Sequence, residues 1–374
     1  MRIAIDARKL HDYGIGTYVR NLVSGLARQD GDDTYVLLCR EDDQAYARSL
    51  GPRFEALVET AGNYSLREQV SVPLALARAK IDLFHAPHYV VSPLTRCPFI
   101  VTIHDCIHLR FPQYLPNRAA YLYARLVMTQ SARRAKRVLT VSRASKEDIL
   151  RYLRVPAEKV EVVYNALDER LAAPPTDVDL QRVRERYLLT SPFILYTGNV
   201  KPHKNIDRLI EAYSILRRRG VEDVKLVIIG EEISKYANLR RLVHRFQLHQ
   251  HVRFFGFVND HTLAAMYRLA SMFVFPSLYE GFGLPPLEAM AAGVPVITSN
   301  TSSLPEVVGD AALLIDPMDA GAIADAMARL LGDRSLRDDL IARGHARVHA
   351  FSWDRSVARV RQIYAEIGAA TRHG

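Results

Sequence analysis

Long apolar runs, paired cysteines and acidic residues are all scarce in this 374-residue chain. No stretch approaches the ~18 apolar residues that a membrane-spanning helix needs. The three cysteines, Cys39, Cys97 and Cys106, are odd in number and form no Cys-x-x-Cys pair. That argues against a disulfide framework or a zinc site and for a reducing compartment. The opening Met1-Arg2-Ile3-Ala4-Ile5-Asp6 reads as a strand rather than a secretory leader, so a cytoplasmic location is expected. There is no low-complexity tract and no short repeat. Nor is there a zinc knuckle, an RNP-type aromatic motif or a helix-turn-helix, so nucleic acid is not an expected partner. The scarcity of acids leaves 50 Lys and Arg against 41 Asp and Glu, a net charge of +9. Such an excess favours anionic partners such as nucleotides or anionic lipid, although it also serves plain solubility.

What the chain does have is enough apolar sequence, 49% of its residues, to fill the cores of about two domains. Short apolar runs alternate with helical patterns: Ile3 to Ile5, Thr34 to Cys39, Leu83-Phe84, Phe99 to Ile103 and Val138 to Val141. The alternation implies a parallel sheet covered on both faces. The segment Leu171 to Asp179, with Pro174 and Pro175, reads as a linker because neither helix nor inner strand tolerates the pair. The pattern then restarts at Phe193 to Tyr196, Val224 to Ile229, Val252 to Phe255, Met272 to Phe275 and Val294 to Thr298. The expectation is an α/β protein with domains at 1–170 and 171–354. A last helix follows Phe351-Ser352-Trp353; as a segment at about 355–374 it either packs back on the first domain or stays on its own.

The most informative segment is Pro276-Ser277-Leu278-Tyr279-Glu280-Gly281-Phe282-Gly283-Leu284-Pro285-Pro286-Leu287-Glu288. A strand ends at Phe275, a glycine loop follows, and a helix starts near Pro285 or Pro286, where proline removes no needed donor. The amides of Phe282, Gly283 and Leu284 then sit at a helix N-terminus, which suits an anion. Gly281 and Gly283 allow close approach of a phosphate. Glu280 and Glu288 flank the loop. Either acid alone could be a simple helix-dipole partner. Together with the loop they fit a sugar, a diphosphate and a ribose, because a carboxylate accepts two vicinal hydroxyl hydrogens.

Three further segments end strands. In Tyr196-Thr197-Gly198-Asn199-Val200-Lys201-Pro202-His203-Lys204-Asn205, Lys204 can reach a diphosphate or remain a solvated loop charge. In Thr102-Ile103-His104-Asp105-Cys106, His104 follows a strand end, where open α/β sheets bind ligands. In isolation it reads better as a structural histidine bonded to Asp105 or to backbone. His85 and His88 lie near another strand end, without further metal ligands, as acceptor-side or structural groups. Gly14-Ile15-Gly16-Thr17-Tyr18-Val19 begins like a dinucleotide fingerprint but has Val19 at the third glycine, which weakens a dehydrogenase. Ser142 and Asn165 also end strands, with helix capping and turn formation as their plain readings. Pro116 to Arg154 holds ten Lys or Arg and two acids, with Tyr121, Leu122, Leu126, Val127 and Met128 interleaved. That pattern fits either an anionic lipid face or a helix with a core stripe and a solvated basic back.

The Glu-x7-Glu spacing around Gly281-Phe282-Gly283-Leu284-Pro285 resembles the retaining GT-B glycosyltransferases of sequence family four. Within that family it is similar to bacterial mannosyltransferases of polysaccharide assembly. The resemblance runs from Ile5-Asp6-Ala7-Arg8 to Phe351-Ser352-Trp353. It implies two Rossmann-like domains facing a cleft, the first binding an acceptor and the second a nucleotide sugar. Glu280 would contact the transferred sugar, Glu288 the ribose, and the amides of Phe282, Gly283 and Leu284 the diphosphate. Gly16, Gly198, Asn199, Lys204 and Gly281 would complete the donor site. Tyr18, His85 and His88 would face the acceptor, and His104 would lie beside the sugar as a catalytic group with Glu280 and Lys204. Asn199 stands where the family often has an arginine, a charge that Lys201 could replace.

Asp30-Gly31-Asp32 and Asp177-Val178-Asp179 do not follow strand ends, so no metal or other cofactor is expected. The resemblance implies GDP-mannose as donor, with UDP-glucose or another hexose donor as the alternative. The acceptor would be a lipid-linked or other oligosaccharide, and peripheral contact with an anionic membrane fits the basic region. A nucleotide-sugar epimerase and a non-catalytic binding protein are the rival readings.

Overall fold

A computed structural model describes residues 1–372 apart from 13, 64 and 232; positions 373 and 374 of the expected last helix lie outside the described residues. The chain forms two compact units: residues 1–165 with 352–374, and residues 166–351. The first boundary thus falls after Asn165, a few residues before the proline pair that marked the linker, and the second lies before Ser352.

In the first unit seven strands run β1 (Arg2–Asp6), β2 (Thr34–Cys39), β3 (Phe54–Val58), β4 (Leu83–Ala86), β5 (Phe99–Thr102), β6 (Arg137–Thr140) and β7 (Val160–Val162). Their order across the sheet is β3-β2-β1-β4-β5-β6-β7, and the recorded pairings are parallel. The inner strands are apolar on both faces because helices cover both sides. In the second unit β8 (Phe193–Thr197), β9 (Lys225–Ile229), β10 (Val252–Phe255), β11 (Met272–Phe275), β12 (Val296–Ser299) and β13 (Ala312–Ile315) take the order β10-β9-β8-β11-β12-β13. Each sheet is therefore doubly wound, with its order reversing beside the first strand. Loops beyond the carboxyl ends at that reversal are splayed to opposite faces and leave room for a ligand. In the second unit the reversal lies between β8 and β11, so the loops that follow Thr197 and Phe275 flank it.

The Trp353–Arg372 helix belongs to the first unit. Val357, Val360, Ile363 and Tyr364 recur at helical spacing and are almost wholly buried. The helix lies so close on the Ile15–Arg28 helix that a Cβ on Gly25 would sit 2.6 Å from Val357 Cγ2. Arg359 pairs with Glu161 on the edge strand β7.

The proline pair does not open a long linker. Thr176 caps a helix from Asp177 to Arg186 in a reciprocal capping box: its Oγ1 accepts from the amide of Asp179, whose side chain takes the Thr176 amide at 3.0 Å. That exchange satisfies two otherwise orphan amides. The Asp177-x-Asp179 pair is thereby explained as a helix start.

Candidate functional site

The geometry of the second unit centres on the two loops that flank its sheet reversal. From the loop after β8, the Lys204 ammonium donates to both oxygens of Glu280, at 2.6 and 2.9 Å. Both side chains are about seven-eighths buried, at 13% exposure each. The same ammonium lies 5.3 Å from the centroid of the Phe275 ring, a favourable cation–π distance. Backbone contacts fix the two loops to one another: Leu278 N donates to His203 O at 2.7 Å, and Asn205 Nδ2 donates to Pro276 O at 3.1 Å and to Pro317 O at 2.7 Å. Asn205 adopts a left-handed conformation, φ 59°, which asparagine tolerates better than most residues.

Glu280 is further held by Ser302 and Ser303, which the sequence did not single out. Ser302 Oγ accepts from Glu280 N at 3.2 Å, and both hydroxyls donate to Glu280 O. Ser303 also donates to Phe282 O. Thr301 Oγ1 donates to Leu278 O at 3.2 Å. The only local signal was the polar run Ser299-Asn300-Thr301-Ser302-Ser303 following a strand.

The helix begins at Leu284, one residue earlier than expected, with Gly283 as its cap at φ 123°. A side chain is strained there, and a Cβ would also meet Leu304 at 2.9 Å. Because Pro285 and Pro286 fill the next two positions, the first turn carries few donors. Among the described residues no acceptor takes the amides of Gly283 or Leu284. Phe282 is buried, with its ring edge-on to Phe351 at 5.3 Å.

Glu288, one turn into the helix, accepts from Tyr267 at 2.8 Å, and Tyr267 in turn bonds Thr197 Oγ1 at 2.7 Å. Burial pushes the Glu288 carboxyl up to about 7; the Tyr267 bond opposes this, and the nearby charges of Asp168 and Asp260 add to it. Arg170 bridges those two aspartates at 2.7 and 2.6 Å. Gly198 stands at the end of β8, but its amide is spent on Ile229 O at 3.0 Å. Asn199 lies beside it, and among the described residues nothing donates to its buried Oδ1. Lys201 is exposed and Gly281 partly buried.

In the first unit the three residues read as acceptor-facing belong instead to the core. His85 is fully buried. Its Nδ1 meets Tyr364 Oη at 2.7 Å and its Nε2 meets Thr102 Oγ1 at 2.8 Å. Burial depresses its ring to about 3, so it is neutral with both nitrogens occupied. His88 bonds Asp6 Oδ2 at 3.0 Å and accepts from Val90 N at 3.2 Å. Tyr18 is 1% exposed, with its hydroxyl 3.2 Å from Thr102 Oγ1. A strand end in the sequence marks a position near the crevice of a sheet but does not say which way a side chain turns. Gly16 also has a packing reason: a Cβ there would sit 2.4 Å from the carbonyl oxygen of Leu10.

The motif Ile5-Asp6-Ala7-Arg8 builds a buried ion network. Arg8 binds Asp6 at 2.7 Å and Glu68 at 2.9 Å, all with side chains under 5% exposed. Burial alone would raise the Asp6 carboxyl, but the Arg8 charge and the bonds from His88 and Arg8 hold it far below the usual range. His104 is partly exposed. Its Nε2 donates to Pro87 O at 3.0 Å, and Tyr18 lies edge-on to its ring at 5.0 Å. Burial lowers its pKa, which leaves Nδ1 as an acceptor. Its main-chain oxygen accepts from Ser145 Oγ at 3.0 Å. Ser142 takes its plain reading, capping the Arg143–Leu153 helix. Among the described residues no group of three His, Cys, Asp or Glu side chains could hold a metal ion, and no helix is long and apolar enough to cross a membrane.

Comparison with known proteins accords with this geometry. Residues 178–347 match the family model for glycosyl transferases group 1, and residues 13–171 match that for glycosyltransferase family 4. O-antigen chain mannosyltransferase B of Escherichia coli is 36% identical over 293 residues, 78% of this chain and 76% of the relative. The serotype-specific mannosyltransferase WbdA of Escherichia coli is 30% identical over 336 residues, 85% of this chain, which spans only 41% of that longer protein. Anabaena Alr3699/HepE, solved in complex with UDP-glucose, superposes with a TM-score of 0.79 at 18% identity, covering 98% of this chain and 100% of the other. The shared fold is the GT-B architecture of two parallel-sheet α/β domains.

Proposed function

We propose hexosyl transfer from GDP-mannose, with retention of anomeric configuration and without a metal, for this chain, which belongs to glycosyltransferase family 4. The acceptor in this reading is a lipid-linked or other oligosaccharide of cell-surface polysaccharide synthesis. Mannose is favoured by the mannosyltransferase relatives.

The observation that carries the reading is the Lys204–Glu280 pair at the sheet reversal, beside the Gly283 and Leu284 amides. With donor bound, the Lys204 ammonium leaves Glu280 for the diphosphate, and the freed carboxylate accepts from hydroxyls of the transferred sugar. Glu288 accepts from the ribose. The negative charge that grows on the leaving nucleotide is met by Lys204 and the helix-end amides, fixed before the reaction starts. Lys201 stands near Asn199 and supplies the charge that the asparagine lacks. No carboxylate is assigned as a covalent nucleophile. The acceptor hydroxyl attacks on the face the diphosphate leaves, and a phosphate oxygen takes its proton. His104 is assigned to the sugar, with its main-chain oxygen facing positive charge at the anomeric carbon. The three free cysteines fit work in the cytoplasm.

A thermal-shift panel of nucleotide sugars tests the donor, because a ligand held only by the native state raises the melting point. A flat response to every donor overturns the reading. A preference for UDP-glucose, the ligand in the HepE complex, selects that donor instead. Product NMR tests the stereochemistry: an inverted anomeric centre refutes retention.

A further inference from the structure

Glu288 is held by one oxygen only. Its Oε2 accepts from the Tyr267 hydroxyl at 2.8 Å, and among the described residues no donor reaches Oε1. An ionised carboxylate with one oxygen tied and the other open presents a fixed set of lone pairs to a ligand.

Tyr267 is itself firmly set. It lies in the Asp260–Leu269 helix, is 1% exposed, and packs edge-on to the Phe273 ring of β11 at 5.5 Å. Burial and the Glu288 charge push its phenol well above the ordinary range, so the hydroxyl keeps its hydrogen. That hydroxyl has a second partner at 2.7 Å, Thr197 Oγ1, on the last residue of β8.

Counting hydrogens fixes the direction of the chain of bonds. A carboxylate has none to give, a phenol has one and a threonine hydroxyl has one. With Glu288 ionised, Tyr267 gives its hydrogen to Oε2, and Thr197 gives its own to the Tyr267 oxygen. With Glu288 protonated on Oε2 the chain runs the other way: the acid donates to Tyr267 and Tyr267 to Thr197. Only the first direction leaves the whole carboxylate an acceptor, which is what two vicinal hydroxyls require.

The other charges near this acid do not touch it. Asp168 and Asp260 oppose its ionisation, and Arg170, which pairs with both, favours it. The Arg334–Val348 helix meets the Leu284–Ala291 helix where Gly344 faces Met290, and His345 and Arg268 lie against Gly293, beyond the helix end.

We infer that Tyr267, set by Thr197, is a positioning residue for nucleotide binding: it holds Glu288 as an ionised acceptor with Oε1 left for the ribose diol, and a bound nucleotide sugar locks the direction Thr197 to Tyr267 to Glu288 as the acid's proton passes to solvent. The inference rests on the ribose role given to Glu288 above.

The test is isothermal titration calorimetry of the full chain with GDP-mannose and with UDP-glucose, without acceptor, from pH 6 to 9 in buffers of different ionisation heat. The phosphates of a nucleotide sugar do not titrate in this range, so a released proton comes from the protein. Because the Glu288 carboxyl titrates at about 7, about three quarters of a proton should leave per nucleotide bound at pH 6.5. Affinity should rise through pH 7, and Glu288→Gln should abolish both effects. Tyr267→Phe keeps the ring and loses the hydroxyl. It should bind about tenfold more weakly at pH 7 and move the rise in affinity to higher pH, so that the deficit narrows to about threefold at pH 9. Thr197→Val should weaken binding about threefold with the same trend, and Thr197→Ser should restore it. A general loosening of the fold would lower affinity alike at every pH. The inference alone is overturned if Tyr267→Phe and Thr197→Val keep the wild-type pH profile, or if the wild-type chain releases no proton at pH 6.5. Should Tyr267→Phe not fold, Thr197→Val and the wild-type proton count decide. Proton release that persists in Glu288→Gln removes the ribose role of Glu288, and binding of neither donor removes the transfer reading; either takes the inference with it.

Discussion

Replacing Glu288 with Gln should make the second unit more stable at pH 8 and leave it little changed near pH 4.5. In the fold the carboxyl titrates at about 7 rather than its ordinary 4.5, chiefly because it is buried. A raised acid holds its proton longer in the native state than in the unfolded chain. Below about pH 4.5 both states are protonated and the group contributes nothing. Between about 4.5 and 7 the unfolded chain ionises first, so stability falls as pH rises, and above 7 the loss is complete. The full shift corresponds to about 3 kcal/mol, and because the residue as a whole is only partly buried, solvent screening trims this to about 2 kcal/mol. Gln keeps an oxygen for the Tyr267 hydroxyl and never ionises, so it escapes the cost.

For a unit of this size the gain is a melting temperature higher by about 4–8 °C at pH 8. Circular dichroism melts of both proteins from pH 5 to 8 measure the difference. The same carboxylate should strengthen nucleotide binding as pH rises through about 7, a dependence that the variant lacks. Parallel stability curves for the two proteins would refute the account of a proton held by burial.

Lys204→Ala should cost about 2 kcal/mol or more of stability, because it strands Glu280 without its partner. Lys204→Ala with Glu280→Ala should recover part of that loss; additive effects in urea unfolding would show that the pair is not coupled. The lysine variant should also raise the barrier to donor turnover by about 1.5–3 kcal/mol, read as kcat/KM. Tyr364→Phe removes the buried hydroxyl on His85 Nδ1 and should destabilise the first unit by about 1–3 kcal/mol without altering donor affinity. Gly16→Ala forces a methyl group against the Leu10 carbonyl and should cost about 1–3 kcal/mol; an unchanged urea midpoint would mean that the loop yields freely.

The inner strands of both sheets were legible in the sequence because parallel strands buried on two faces read as unbroken apolar runs. The strands that went unread are β3, β7 and β13, all three sheet edges; β13 is a short apolar run, Ala312-Leu313-Leu314-Ile315, while charges break the other two. Glu55 interrupts β3 and is paired by Arg2, while Glu161 interrupts β7 and is paired by Arg359. An edge needs only one covered neighbour, so charge is admitted and the pattern breaks. At the site, the glycine loop and its two acids were readable as a local sequence. Tyr267 and Ser302 were not, because each reaches its acid from more than twenty positions away and neither belongs to a local pattern. The acceptor-facing reading of Tyr18, His85 and His88 failed for the converse reason. Nothing nearby in sequence announces that Tyr364, on the last helix, will claim the His85 ring.

The return of the chain to its first unit sets an order of assembly on the ribosome. Residues 166–351 are all synthesised before Trp353, so the second sheet can close while the first unit still lacks its last helix. Until Val357, Val360, Ile363 and Tyr364 emerge, the groove at Gly25 stands open to water and His85 Nδ1 lacks its hydrogen-bond partner. The half of the protein that is translated first is therefore the last to become native. A premature stop between Phe351 and Val357 would release a finished second unit attached to an unfinished first one.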